Sequence, residues 1–179
     1  MMEAMMDFFE AVENRYSHKE RFKPTPVPLA DLERIAKAGL AAPTGMNSQC
    51  VRLVILSSKE ALQPLCDVMP TDGMLTAPAA IALLTDSSTQ TGQYNFEVED
   101  YAAAAAQMLL AATALGYASL WLDSPYFDED KQKAALAVLN APAEFHLRVV
   151  LPIGLPDGPG SRREKLPFEQ RVSYGTCKW

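Results

Sequence analysis

Residues 97–115 read EVEDYAAAAAQMLLAATAL, and this stretch predicts the longest helix of the chain. Its first turn carries Glu97, Glu99 and Asp100, where the helix dipole favours negative charge, and Gly116 follows as a C-terminal stop. Eight of its residues are alanine. Because small side chains let other backbones approach closely, we expect this helix at the centre of the molecule or of a dimer interface.

The rest of the chain alternates between helical and extended patterns. Apolar residues at helical spacing and helix-capping residues predict four further helices, over 3–14, 29–42, 58–66 and 128–139. Apolar, β-branched runs predict four strands, over 51–56, 79–85, 117–122 and 147–153. Loops are expected over 67–76 and 86–95. The length of 179 residues and the hydrophobic content of 49% fit one domain over residues 1–179 with its own core.

Composition and charge exclude several classes of function. The chain carries 16 Lys+Arg against 22 Asp+Glu, so it has no electrostatic reason to bind nucleic acid or an anionic membrane. Three cysteines without a CxxC spacing argue against a disulfide framework and against a structural zinc site. The N-terminal residues lack the basic start of a secretory signal, and the apolar run 101–115 is short for a bilayer span. We therefore expect a cytoplasmic protein.

Basic residues are concentrated in two short stretches. Half of the 16 Lys+Arg residues lie within 15–23 and 162–171. In an extended segment Arg15, Ser17 and Lys19 point the same way, and together they offer a fork of donors, a hydroxyl and a mobile charge. This set predicts a site for a small anion such as phosphate, the alternative being two solvated loops.

A second candidate site lies in the loop 43–49, which reads PTGMNSQ. A carboxamide both donates and accepts, so Asn47 and Gln49 fit the alternating donor and acceptor edge of a heterocyclic ring. The alternative is that Asn, Gly and Ser simply form a turn. The sequence contains no P-loop and no Rossmann glycine motif, and its two histidines, His18 and His146, are too few for a histidine metal site. A protein with an anion pocket and no evident acid–base set is expected to take its chemistry from a cofactor.

Five motifs together resemble the FMN-dependent nitroreductase family, in the family's order and over nearly the whole chain. They are Arg15-x-Ser17-x-Lys19, APTGMNSQ at 42–49, ALG at 114–116, LPIG at 151–154 and REKLP at 163–167. The resemblance implies an α+β fold, with a mixed, mostly antiparallel sheet flanked by helices, and an obligate homodimer with FMN in a cleft at each end of the interface.

The same resemblance implies roles for particular residues. The FMN phosphate would be bound by the segment Arg15, Tyr16, Ser17 and Lys19, aided by Arg163 and Lys165. The flavin ring would face Asn47 and Gln49. Many members then carry Pro-Trp where this chain has Cys50-Val51. Near the flavin's hydride-accepting nitrogen a backbone N–H would come from Asp123 or Ser124, since Pro125 has none.

The reaction implied by the resemblance is carried by the flavin, with no catalytic side chain. NADH or NADPH would reduce FMN, which would then reduce a nitroaromatic, a quinone or a similar small acceptor. Two alternatives stay open at this point: a specialised flavin-dependent reductase such as a dehalogenase, and a flavin-binding module with little turnover. The tail 166–179 has aromatic residues without a helical or strand period, so we expect it to hold two subunits together.

Overall fold

The computed structural model describes residues 6–89, 93–123 and 128–178. The helices are α1 Phe8–Asn14, α2 Leu29–Leu40, α3 Lys59–Val68, α4 Asp72–Thr76, α5 Glu97–Ala114 and α6 Glu129–Val138. The strands are β1 Val51–Leu56, β2 Ala79–Asp86, β3 Ala118–Ser119 and β4 Phe145–Gly154. Short 3₁₀ turns occupy Gly45–Asn47, Ser87–Thr89 and Phe168–Gln170. In the part of the chain that the structure describes, no helix is long and apolar enough to cross a membrane.

The four strands form one sheet in the order β1-β2-β4-β3, and each neighbouring pair is antiparallel. Outside the strands, Ser17 forms a parallel bridge with Ser119 at the β3 edge. The predicted α+β fold, with a mixed and mostly antiparallel sheet, is therefore confirmed. The sheet also defines two edges, β1 on one side and β3 on the other, which matter for the site.

Side chains from the sheet pack on both of its faces. Residues Ile81 and Leu83 of the fully buried β2 pack in one hydrophobic cluster with α2 and α5, whereas Ala82 and Leu84 pack in the other with α3 and α6. This alternation follows from the two-residue period of a strand. The sheet is thus the middle of three layers.

The predicted long helix α5 is central, as its alanines indicate. It packs against α2, where a Cβ on Gly39 would lie 2.5 Å from the Met108 side chain. The helix ends before Gly116, whose φ of +82° is one that glycine adopts at little cost. Because Gly39 has no side chain, α2 and α5 can approach this closely at that point.

Some predicted boundaries were wrong, each for a local reason. The expected loop 67–76 contains α4, because the Thr71 hydroxyl caps the backbone N–H of Met74 at 3.3 Å and Met74 is fully buried. The predicted strand 117–122 is reduced to the two residues of β3, after which Leu122 pairs alone with Val150. The expected loop 86–95 begins later, because β2 continues to Asp86.

Helix α1 also differs from the prediction. It begins after Asp7, which forms a capping box with Glu10, and residues 1–5 lie outside the described ranges. The predicted apolar face does not cover the core of its own chain, since Phe8 and Phe9 are 63% and 74% exposed. An apolar helix face left open in a single chain is available for contact with another chain.

Candidate functional site

The first candidate segment follows α1 and lies along the β3 edge. Arg15 caps α1 through its own N–H, which donates to the carbonyl of Ala11 at 2.9 Å. The Tyr16 and His18 rings lie 5.9 Å apart and share one side of the segment. Since side chains alternate in extended backbone, Arg15 and Ser17 take the other side. The convergence of Arg15, Ser17 and Lys19 on one anion stays a prediction.

The C-terminal basic stretch crosses this same segment. Gly160 packs so closely on the Tyr16 ring that a Cβ would overlap the ring atoms. Arg162 donates to the carbonyls of Glu13 and Asn14, the latter at 2.6 Å, and its guanidinium lies 5.8 Å from the Tyr16 ring centroid. Arg162 therefore holds two segments together that are almost 150 residues apart in sequence.

The crossing brings the two predicted basic stretches to one corner of the molecule. Arg163 and Lys165 follow Arg162 directly and are exposed, as is Lys19, while Arg15 is half-buried. We call the set Arg15, Ser17, Lys19, Arg163 and Lys165 the basic corner. Its members come from opposite ends of the chain and carry the types of donor that proteins use to bind phosphate.

Two buried polar atoms at this corner have no hydrogen bond partner. They are His18 Nδ1 and Ser119 Oγ, the two such side-chain atoms among the described residues. The other ring nitrogen of His18 lies 2.9 Å from the Arg21 carbonyl, and Glu20 Oε2 lies 3.5 Å from Nδ1. Apart from this long contact with Glu20, neither atom has a partner, whereas buried polar groups are nearly always hydrogen-bonded.

The second candidate segment is the loop 43–49, which we call the amide loop. Three of its residues that are not glycine have left-handed backbone: Met46 at φ 52°, Asn47 at φ 55° and Gln49 at φ 48°. Each such residue costs free energy, least for Asn, and persists only where the surroundings hold it. Asn47 and Gln49 are exposed, as a ligand-facing pair requires.

The buried carboxylate of Asp100 stabilises the amide loop through hydrogen bonds. It accepts hydrogen bonds from the Gly45 N–H at 2.7 Å, the Ser48 hydroxyl at 2.7 Å and the Cys50 thiol at 3.4 Å. Burial, and then the hydrogen bond to Asp100, raise the pKa of Cys50 to about 11. Cys50 therefore remains a protonated donor at neutral pH.

Arg52 holds the far end of the amide loop. Its guanidinium donates to the Gln49 carbonyl at 2.6 Å and pairs with the Asp86 carboxylate at 3.1 Å. A cavity of about 480 Å³ opens between the loop, Arg52 and the C-terminal end of α2. Asn47 and Gln49 both line this cavity, so the predicted amide pair does face open space.

A buried ion pair joins the start of α5 to strand β4. Arg148 pairs with Glu97, and Thr85 accepts from Arg148 at 2.7 Å and donates to Glu97 at 2.8 Å. Burial alone would raise the pKa of Glu97, but hydrogen bonds from Ser87, Thr85 and Arg148 outweigh it and hold that pKa below its ordinary value. Glu97 thus stays ionised and fixes the start of α5.

The predicted donor segment after β3 is described only in part. Asp123 is half-buried and accepts from the Trp121 indole at 3.1 Å, while Trp121 packs on Tyr101 at 5.9 Å between ring centroids. Ser124, the other predicted donor, and Pro125 lie outside the described residues. Asp123 is therefore the one of the two predicted donors for which the described residues show a fixed position.

The two halves of the predicted site lie at opposite corners of one chain. Gly45 is bonded to Asp100 in the first turn of α5, whereas Tyr16 lines a small cavity with Thr113 at its last turn. The rise of a helix puts about 20 Å between those turns. The amide loop enters β1 and Ser17 lies beside β3, so three strand spacings, about 14 Å, separate them across the sheet as well. One chain does not bring its amide loop to its basic corner.

Sequence reasoning missed the residues that support the site. Asp100 carries a favourable charge in the first turn of α5, but it also lies on the same i, i+4 stripe as the buried Ala104, Met108 and Ala112. A carboxylate on the apolar stripe of a helix can be recognised from the helical periodicity of the sequence, so this pattern could have indicated that Asp100 is buried. The role of Arg52 had no such signal, because its partners depend on strand pairing.

Comparison with known proteins agrees with this architecture. The sequence model of the nitroreductase family matches residues 12–69 and 67–155. The chain belongs to the nitroreductase family. The predicted resemblance is thereby confirmed, and the family is one of flavin-using oxidoreductases.

Individual relatives of this nitroreductase-family chain are similar over most of their length. It is 32% identical over 127 residues to a protein of Archaeoglobus fulgidus named "Putative NADH dehydrogenase/NAD(P)H nitroreductase", covering 70% of this chain and 72% of the relative. A crystal structure of a nitroreductase family protein from Clostridium difficile matches with a TM-score of 0.78 at 26% identity, over 96% of this chain and all of that one. A protein from Desulfovibrio desulfuricans, solved in complex with FMN, shares the fold with a TM-score of 0.81 at 23% identity, over 93% of this chain and 95% of the other.

Proposed function

We propose that this chain is a cytoplasmic FMN-dependent oxidoreductase in which NADH or NADPH reduces the bound flavin and the flavin reduces a nitroaromatic, a quinone or a similar small acceptor. Residues 1–179 form its single FMN-binding domain. The observation that carries the proposal is that Arg162 joins the C-terminal basic stretch to the end of α1, next to the segment that pairs with β3, in a nitroreductase fold. Membership of a flavin-using family then favours FMN over other phosphate-bearing ligands.

The residues of the basic corner fit the phosphate of FMN. Arg15 offers a planar fork of donors, Ser17 a neutral hydroxyl, and Lys19 a mobile charge. Arg163 and Lys165 add two charges from the crossing segment that Arg162 fixes. A phosphate carrying nearly two negative charges is compensated by this set even though the whole chain has a net charge of −6.

The flavin ring requires a second chain. Because one chain separates its amide loop from its basic corner along α5 and across the sheet, a two-fold partner is needed to bring another copy of Asn47 and Gln49 to the ring. Exposed apolar side chains on α1 and in the tail offer the surface for such a partner: Phe8, Phe9, Leu166, Phe168 and Tyr174. We therefore infer a homodimer with two sites.

Around the flavin ring, the protein orients the cofactor and supplies no reacting side chain. FMN, when bound, would supply the hydride chemistry between NAD(P)H and the acceptor. Asn47 and Gln49 would match the polar edge of the ring, and a backbone N–H at Asp123 or Ser124 would donate near its reactive nitrogen. The Trp121 indole, by fixing the Asp123 carboxylate at 3.1 Å, supports a constant backbone position there.

Stopped-flow mixing of the FMN-loaded protein with NADH, and separately with NADPH, tests the proposal. We expect the 450 nm flavin absorbance to bleach in a saturable phase and to recover when a quinone or a nitroaromatic is added. A protein that binds FMN but is bleached no faster than free FMN would be a flavin-binding module, and the proposed oxidoreductase activity would be rejected. A protein that does not bind FMN would contradict the cofactor assignment itself.

A further inference from the structure

The amide loop is strained and is stabilised mainly by one side chain. Met46, Asn47 and Gln49 all have φ near +50°, and two of these residue types, Met and Gln, adopt that backbone rarely. Asp100, which is 2% exposed, accepts hydrogen bonds from three residues of the loop and its exit. No other carboxylate among the described residues receives hydrogen bonds from this loop.

We propose that Asp100 is a positioning residue for the flavin ring: its carboxylate holds the left-handed amide loop in the one geometry that presents Asn47 and Gln49. The inference rests on the proposed function, because it assumes that these two amides face the ring. It deepens that proposal by assigning a role to a buried residue that touches neither cofactor nor substrate.

The geometry explains why a carboxylate is suited to this position. Three donors converge on it from Gly45, Ser48 and Cys50, and a carboxylate has two oxygens with enough lone pairs to accept all of them. The Gly45 N–H and the Ser48 hydroxyl flank the left-handed pair Met46 and Asn47 on either side. Fixing both flanks leaves the intervening backbone little freedom to relax.

The neighbouring packing prevents the loop from settling elsewhere. A Cβ at Gly45 would overlap the Phe96 ring, so Gly45 lies directly against the residue that precedes α5. At the other end Arg52 holds the Gln49 carbonyl at 2.6 Å. Asp100 thus holds Gly45 and Ser48 on either side of the left-handed pair, between the contacts with Phe96 and Arg52 at the two ends of the segment.

The test compares Asp100→Ala with Glu99→Gln, which removes a charge from the same helical turn but lies exposed and away from the loop. FMN affinity is measured by fluorescence titration of the apoprotein, and the flavin absorption spectrum is recorded for each loaded variant. We expect Asp100→Ala to raise the FMN Kd about tenfold and to shift the flavin bands, and Glu99→Gln to leave both within twofold. Ser48→Ala, which removes one donor and leaves the carboxylate in place, provides a milder variant and should have a smaller effect of the same kind.

A double-mutant cycle separates positioning from general destabilisation. If Asp100 acts through the amides, Asp100→Ala should add almost nothing to the FMN Kd in an Asn47→Ala, Gln49→Ala background, although it still lowers the melting temperature. In the apoprotein, hydrogen exchange of the Gly45 amide should be faster in Asp100→Ala than in wild type. Additive effects on Kd would overturn the inference.

The inference and the proposed function fail in different ways. If the Asn47 and Gln49 variants weaken FMN binding but the Asp100 and Ser48 variants do not, Asp100 is not a positioning residue and the proposed function stands. If the Asn47 and Gln49 variants leave the Kd and the spectrum unchanged, the amides do not face the ring and both proposals about the loop are wrong.

Discussion

Replacing Arg15 with alanine should weaken FMN binding without unfolding the protein. No hydrogen bond or ion pair joins its side chain to another described residue, so the folded protein loses little, about 0.5 kcal/mol or less. Toward a phosphate, however, Arg15 is the half-buried cation of the basic corner, and hydrogen bonds to charged groups contribute about 1.5–3 kcal/mol each. We therefore expect the FMN Kd to rise about 10- to 150-fold.

Fluorescence titration of the apoprotein with FMN measures this change, and Arg21→Ala is the matched control. Arg21 lies six residues further along and is exposed, but it lines a different cavity, between the Pro24–Pro26 connector and the start of α3. Its loss changes the net charge equally and should raise the Kd less than threefold. An unchanged Kd for Arg15→Ala would remove Arg15 from the site, and an equal effect of both variants would mean that only the overall field matters.

Four further outcomes are expected. Arg148→Met leaves the Glu97 carboxylate buried without its partner, so the free energy of unfolding should fall by about 3–5 kcal/mol and Tm by roughly 6–20 °C. Adding Glu97→Gln should recover most of this loss, and a Tm within 2 °C of wild type for Arg148→Met would contradict the buried pair. The folded state holds the pKa of Glu97 below its ordinary value, so ionised Glu97 contributes its full stabilisation above the ordinary pKa and loses it as pH falls through the lowered pKa. The free energy of unfolding, measured with urea, should therefore decrease below about pH 4, and a flat profile there would refute the assignment. Replacing all three cysteines with serine should leave NAD(P)H oxidation within about threefold, since burial keeps the Cys50 thiol protonated; lost turnover in a variant still loaded with FMN would show that a thiol takes part. A chain truncated after Lys165 should be monomeric when its mass is measured by light scattering, and its flavin absorbance should show little bound FMN. A truncated dimer with full FMN occupancy would show that the tail is dispensable.

Local patterns in the sequence were enough to predict most of the sheet and its helices. The fully buried β2 reads as a continuous apolar run, and α5 combines alanines, an acidic start and a glycine stop. Each of these signals is contained within one element. The α4 helix was missed because its five residues form too short a pattern and depend on the Thr71 cap and on burial of Met74.

The site was predictable in its parts but not in its assembly. The alternation of Arg15, Ser17 and Lys19 is a local property, so it can be read from the sequence of one extended segment. That Arg162 would fasten the second basic stretch to α1 depends on a contact between residues almost 150 positions apart, which no local pattern encodes. The separation of the amide loop from the basic corner likewise follows only from the strand order.

The central claim, that one FMN site combines the basic corner of one subunit with the amide loop of the other, is tested most directly by mixing two defective chains. Arg15→Ala and Asn47→Ala chains carrying different affinity tags are co-expressed, the mixed dimer is isolated through both tags, and its bound FMN is titrated. One of its two sites then has the wild-type basic corner and the wild-type amide loop, so we predict one FMN bound per mixed dimer with wild-type affinity. A mixed dimer that binds FMN no better than either parent would contradict the shared site, because every site would then lie within a single defective chain.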